Sequence, residues 1–131
     1  MVIDTSAIVA VLFDEPERAT FDRLIARDGV RLISAVARVE AAFVVEGRKG
    51  AEGQERLARF FQLTGAEIVP VSVQQSELAV EAFRRFGKGR HPARLNIGDC
   101  FAYALAKATR EPLLYKGGDF ALTDIAAAPR S

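Results

Sequence analysis

Asp4, Glu40, Asp99 and Asp119 are the residues of this chain whose types and places could do chemistry. Asp4 ends the apolar run Met-Val-Ile, and Asp119 follows Lys-Gly-Gly. Asp99 lies in the first turn of a helical stretch, and Glu40 about two turns into another. Carboxylates gathered at one place repel, and the repulsion is relieved by protonation or by a divalent cation. An oxygen-only set with no His or Cys among it suits Mg²⁺ or Mn²⁺. The chemistry it would support is metal-assisted hydrolysis of a phosphodiester, because a bound cation activates water without a histidine.

Each acid also has an ordinary reading. Asp4 caps a helix, Asp99 reaches back to the Asn96 cap, Asp119 sits in a turn, and Glu40 lines a solvated helix face. Taken together they shift the balance, because strand exits and helix starts are where such a pocket is built. Asp124 is a rival ligand, ranked below Asp119. Thr5 and Ser6 serve as caps or hold a metal-bound water or a phosphate. Asn96 reads first as a cap. Lys88, Arg90, His91 and Arg94 crowd one short loop just before Asp99. They are the expected phosphate contacts, with affinity that falls as salt rises. His91, the only histidine, reads as a substrate contact rather than a general base. Arg38 and Lys116 are surface charges or further phosphate contacts. Cys100, in an apolar helical setting, reads as a buried thiol and not a nucleophile.

The elements that must position these groups alternate. The pattern predicts strands over 1–3, 30–34, 67–71 and 112–115. Helices are expected over 5–12, from the Asp14-Glu15-Pro16-Glu17 start to Arg27, from Ser34 to about Arg48, over 51–64, over 73–86, and from Asn96 to about Thr109. Val36, Val39, Phe43 and Val44 mark the expected buried face of the third helix, with Gly47 and Gly50 breaking it. Leu57, Phe60, Phe61 and Leu63 do so for the fourth, and Leu78, Ala79, Ala82, Phe83 and Phe86 for the fifth. A short edge strand after Asp124 is a weak expectation. Strands separated by helices imply right-handed crossovers and a parallel sheet, so the fold class is α/β.

The 131 residues suit one domain, 1–131. Half are hydrophobic, and no run approaches the length of a membrane helix. Without a basic, apolar leader the chain reads as cytoplasmic. One cysteine and one histidine exclude an internal disulfide and a zinc site. Phosphate-loop, dinucleotide and nucleophile-elbow motifs are absent. Eighteen Lys and Arg against 17 Asp and Glu give no net argument for nucleic acid, so the distribution of charge matters instead. The apolar stripes of the first helices suggest a partner surface.

The chain resembles the PIN-domain ribonucleases, specifically the VapC toxins of type II toxin–antitoxin systems. The resemblance rests on Val2-Ile3-Asp4-Thr5-Ser6-Ala7, Glu40, Gly87-Lys88-Gly89-Arg90-His91 and Leu95-Asn96-Ile97-Gly98-Asp99-Cys100. It continues through Ala102-Tyr103-Ala104, Leu113 to Phe120 and Thr123-Asp124-Ile125. It implies a three-layer α/β/α fold with a central, mostly parallel sheet of four or five short strands. It further implies a Mg²⁺-dependent endoribonuclease that cuts structured RNA such as tRNA or rRNA and inhibits translation. The family's acidic ligands fall on Asp4, Glu40, Asp99 and Asp119. A homodimer and a cognate VapB antitoxin are the implied partners. An RNA-processing PIN nuclease without an antitoxin and a non-catalytic PIN-like RNA-binding module are the alternatives. A phospho-acceptor receiver domain would want an acidic pair at the first strand, where only Asp4 stands.

Overall fold

The computed structural model describes residues 1–129. Strand β1 (Val2–Ile3) leads into helix α1 (Thr5–Leu12), then α2 (Arg18–Arg27), β2 (Leu32–Ser34) and α3 (Ala35–Thr64). There follow β3 (Glu67–Val69), α4 (Val73–Phe86), α5 (Ile97–Thr109), β4 (Leu113–Leu114) and a 3₁₀ turn at Phe120–Leu122. The strands form one parallel sheet in the order β3-β2-β1-β4. Val2 pairs with Leu32 on one side and Leu113 on the other.

Side chains of a strand alternate between its faces, and each two-residue strand here serves both. Ile3 and Leu114 pack into a core with Ile8, Phe21, Ile33 and Leu57. Val2 and Leu113 pack into a second core with Leu95, Tyr103, Leu105 and Phe120. The first core lies under α1, α2 and α3, the second under α4 and α5, which makes three layers. Apolar strands covered on both faces are what a parallel sheet requires.

The order of strands places the site. From β1 the chain steps through β2 to β3, then α4 and α5 carry it back to β4 on the other side of β1. The direction reverses between β1 and β4. In open parallel sheets a ligand crevice forms beyond the carboxyl ends at that reversal. Asp4 leaves β1 there, and β4 leads there toward Asp119.

Several expected elements differ. The second helix begins at Arg18, not in the Asp14–Glu17 stretch, and its N-cap Glu17 makes no side-chain cap bond. Asp14 turns with a φ of 52°, and Glu15 and Glu17 are drawn instead to Lys116. The two helices expected between Ser34 and Thr64 share one element that breaks at Gly50 (φ 53°, ψ −133°). In a straight helix positions 45 and 53 would stand about 12 Å apart. Here a Cβ on Gly53 would meet the Val45 carbonyl oxygen at 2.4 Å, so the two segments double back closely at that glycine.

The buried face of α3 is Ala37, Ala41 and Val45, while Val39 and Phe43 are exposed. Small alanines let this helix lie close to its neighbours and turn the larger apolar residues outward. Leu63 and Phe83 are likewise exposed rather than buried. Strand β3 stops before Pro70, and the tail adds a single parallel bridge, Leu113 to Ala127. Arg31 ties two helix ends together. Its guanidinium donates to the carbonyls of Ile25, Ala26 and Asp28 at the end of α2 and of Thr64 at the end of α3. No helix among the described residues is long and apolar enough to cross a membrane.

Candidate active site

Asp4 is both a helix cap and a buried acid. Its Oδ2 accepts from the Ser6 backbone N–H at 3.0 Å and from Ser6 Oγ at 2.6 Å. The residue is 4% exposed. Burial pushes its carboxyl up to about 6, against the two Ser6 bonds, and the negative charges of Asp99 and Glu40 push the same way. Asp99 is raised too, first by burial, then by Glu40 and Asp119, with the Asn96 backbone bond opposing. Asp4, Glu40, Asp99 and Asp119, from four segments, thus share one electrostatic neighbourhood.

Three of the acids, Asp4, Asp99 and Glu40, are held by hydrogen-bond donors. Asn96 and Asp99 form a reciprocal capping box at the start of α5, with bonds of 2.9 and 3.0 Å. Thr5 Oγ donates to Glu40 Oε1 at 2.8 Å. A Cβ on Gly98 would lie 2.0 Å from Glu40 Oε2, so this carboxylate packs directly on the glycine in the first turn of α5. Glycine is unfavourable inside a helix, and here the close approach requires it. Asp119 is exposed and makes no side-chain cap bond. Among the described residues no three His, Cys, Asp or Glu groups enclose a metal position as their side chains stand. The donor set nonetheless suits a hard divalent cation. It is all oxygen, two of its carboxyls are raised by burial and by mutual repulsion, and Gly98 leaves room for a third.

The expected substrate contacts sort differently. Ser6 Oγ accepts from the Lys116 backbone N–H at 2.9 Å and donates to Asp4, so it is turned inward rather than toward a phosphate. The Thr5 hydroxyl is likewise committed, to Glu40. The Asn96 carbonyl is used by its cap. His91 Nδ1 accepts from the Ala93 N–H, and its ring meets the Phe86 ring edge-on at 5.2 Å, so it braces its own loop. Lys88, Arg90 and Arg94 are exposed on that loop, next to the start of α5. Arg38 lies over the Phe61 ring. Lys116 pairs with Glu15 at 2.7 Å and Glu17 at 3.4 Å, and the Glu15 hydrogen bond holds its amine above the usual value.

Asp124 stands apart from the acids. Tyr103 donates to its Oδ1, Lys107 and Arg85 pair with its Oδ2, and its carboxyl is lowered despite partial burial. Cys100 is buried and its thiol is pushed up to about 11, which is inert. Gly98, Glu15 and Glu17 were not singled out by the sequence. A glycine at the second position of a capped helix is a readable signal for the first, and nothing local signals the other two.

The sheet order and the acids at its reversal define a PIN domain, and the PIN domain family profile matches residues 1–126. Ribonuclease VapC of Mycolicibacterium smegmatis is 48% identical over 127 residues, covering 97% of this chain and 98% of that protein. Ribonuclease VapC30 of Mycobacterium tuberculosis is 47% identical over 126 residues, 96% of each. Among solved structures, Mycobacterium tuberculosis VapC20, described as a Sarcin-Ricin loop cleaving toxin, superposes with a TM-score of 0.79 at 20% identity, over 99% of this chain and 98% of that one. VapBC2 from Rickettsia felis, bound to a DNA fragment from its promoter, gives 0.72 at 17%, over 96% and 95%. The chain belongs to the VapC ribonucleases, the metal-dependent PIN-domain endoribonucleases of toxin–antitoxin systems.

Proposed function

We propose that the chain is the toxin of a type II pair, a cytoplasmic Mg²⁺-dependent endoribonuclease that cuts structured RNA such as tRNA or rRNA and stops translation. Mn²⁺ would substitute. The observation that carries this reading is the buried Asp4, raised by burial and by its acidic neighbours at the point where the sheet reverses.

Asp4, Asp99 and Asp119 would hold the ion, with Glu40 completing the set. Once bound, the ion supplies charge stabilisation at the scissile phosphate and an acidified water. The chain's own part is positional. Ser6 aims Asp4, Thr5 aims Glu40, and the Asn96 box fixes Asp99 while leaving its second oxygen free. Lys88, Arg90 and Arg94 would hold RNA phosphates beside the start of α5, with His91 and Asn96 shaping that approach.

A VapB-type antitoxin is the proposed inhibitor. A groove of about 620 Å³ between α1, α2 and the second half of α3 has an apolar floor of Val11, Leu12, Phe60 and Leu63 and a rim of mixed charge, with Asp14 and Asp22 beside Arg56 and Arg59, which suits an amphipathic segment. The exposed Phe43 and Ile97 suit contact with a second copy of the chain. The deciding experiment is brief induction followed by sequencing of RNA ends, with Asp99→Asn as control. Discrete new 5′-phosphate ends that vanish in the variant are expected. RNA binding with no Mg²⁺-dependent cleavage would reduce the protein to a binding module.

A further inference from the structure

Lys116 is tied down at both its ends. Its backbone N–H donates to Ser6 Oγ, which in turn donates to Asp4 Oδ2. Its ammonium pairs with Glu15 and Glu17 in the turn between α1 and α2. That turn forgoes a side-chain cap on α2 to supply the two acids. Three residues further on stands Asp119, reached through Gly117 (φ 97°) and Gly118. Two glycines impose the least order on a chain. Asp119 has no side-chain hydrogen bond or ion pair among the described residues. Its place is therefore set by what anchors the segment on either side. Beyond it the buried Phe120 ring packs on Tyr115 at 5.2 Å. Before it the anchor is Lys116. Held between two glutamates, the ammonium is balanced and does not serve as a counter-ion for the pocket or as a lure for phosphate.

We propose that Lys116 is a positioning residue: the Glu15–Lys116–Glu17 clamp holds the strap that carries Asp119, and the main chain of Lys116 keeps the Ser6 hydroxyl aimed at Asp4. This rests on the reading that Asp4 and Asp119 hold the metal ion. The clamp thus spans the two acids on either side of the sheet reversal, and loosening it weakens the metal site without touching a ligand. Partners that orient metal ligands are typically worth about 10–100-fold in metal affinity.

The test uses the full chain as wild type, Lys116→Met, Lys116→Arg, the double variant Glu15→Gln with Glu17→Gln, Asp119→Asn, and Asp119→Asn with Lys116→Met. Amide exchange of the metal-free proteins reads the strap directly. Mn²⁺ calorimetry and cleavage against Mg²⁺ concentration read the site. Lys116→Met and the double glutamine variant should speed exchange of the Lys116 amide, which is bonded to Ser6 Oγ, by about tenfold or more while the core stays protected. Both should weaken Mn²⁺ binding by about tenfold and leave the rate at saturating Mg²⁺ within about twofold. Lys116→Arg should restore both readouts. Lys116→Met should cost clearly less once Asp119 is Asn than it does in the wild type, since only the Ser6–Asp4 arm is then left to loosen. If Lys116→Met does not fold, the double glutamine variant carries the same test from the other side. Unchanged exchange and Mn²⁺ affinity would overturn the clamp, as would a full additional loss in the Asp119→Asn background. Wild-type Mn²⁺ affinity in Asp119→Asn alone would instead unseat Asp119 as a ligand, and the proposal would fall at that separate step.

Discussion

Asp4 and Asp124 make the same kind of hydrogen bond and are driven in opposite directions. Each carboxylate accepts a hydroxyl proton at 2.6 Å, from Ser6 in one case and Tyr103 in the other. Asp124 also has Lys107 and Arg85 against it, and its carboxyl is lowered. Asp4 is buried with only other acids for company, and its carboxyl rises to about 6. The hydroxyl does not decide the outcome; solvent and neighbouring charge do. A structural acid is given its cations by the fold. An acid denied them, beside two more acids, fits the proposal that it takes one from solution.

The sharpest way to break this contrast is to remove each charge in turn. Asp4→Asn should lower Mg²⁺-dependent cleavage by roughly 1,000-fold, since a bound ion contributes several kcal/mol to the barrier. The metal-free protein should keep its fold. Asp124→Asn should leave cleavage within about twofold and lower stability by on the order of 1 kcal/mol, as a charged hydrogen bond at a half-exposed site would. RNA cleavage assays and urea melts measure the two. Equal losses of activity would erase the distinction.

The next contrast is in pH. The carboxyl of Asp4 lies higher in the folded protein than its ordinary value of 3.8, so between 3.8 and about 6 the folded state binds the extra proton. Metal-free stability should therefore fall as pH rises through that window, by on the order of 3 kcal/mol from this one group. Asp124 is lowered, so its contribution is present above its ordinary value and is lost as pH falls below it. Urea midpoints across pH 3 to 8, for wild type and Asp4→Asn, should show a slope that the variant lacks. Excess Mg²⁺ should flatten the same slope, because the ion replaces the proton.

Gly98→Ala is expected to act more weakly. Its methyl group would displace the Glu40 carboxylate and leave Asp4 and Asp99 in place, so cleavage should drop by roughly tenfold with little change in melting. A loss as large as that of Asp4→Asn would make Glu40 an equal partner and not a completing one. The smallest effect belongs to Lys107→Met. The pair with Asp124 is exposed, so stability should change by less than about 1 kcal/mol and cleavage not at all.

Much of the site was legible because its causes are local. The Asn96–Asp99 box and the Asp4 cap are short-range relations that spacing reveals. The acids converge because strand order carries Asp4 and Asp119 to one edge, which alternation of strands and helices allows without forcing. What was hidden is long-range or degenerate. Lys116 meets Glu15 across 101 positions, and nothing near either residue announces the other. The third helix carries two apolar stripes, one of alanines and one with Val39 and Phe43, and periodicity does not choose between them. Asp124 reads from the sequence only as a rival ligand ranked below Asp119, because Tyr103, Lys107 and Arg85 reach it from positions 17 to 39 residues away. Thr5 and Ser6 read as caps or as holders of a metal-bound water or a phosphate, because Glu40 and the Lys116 N–H reach their hydroxyls from distant segments.

The short tail bridge at β4 has a consequence for solution behaviour. Leu113 gives its N–H to Ala126 and takes that of Ala128, so the outer side of a two-residue strand is sealed by the chain itself. Stripped of that cover, the border of the sheet would offer a free ladder to other molecules. Shortening the protein ahead of Ala126 should therefore trade a well-behaved toxin for one that self-associates strand to strand, before its catalysis is affected.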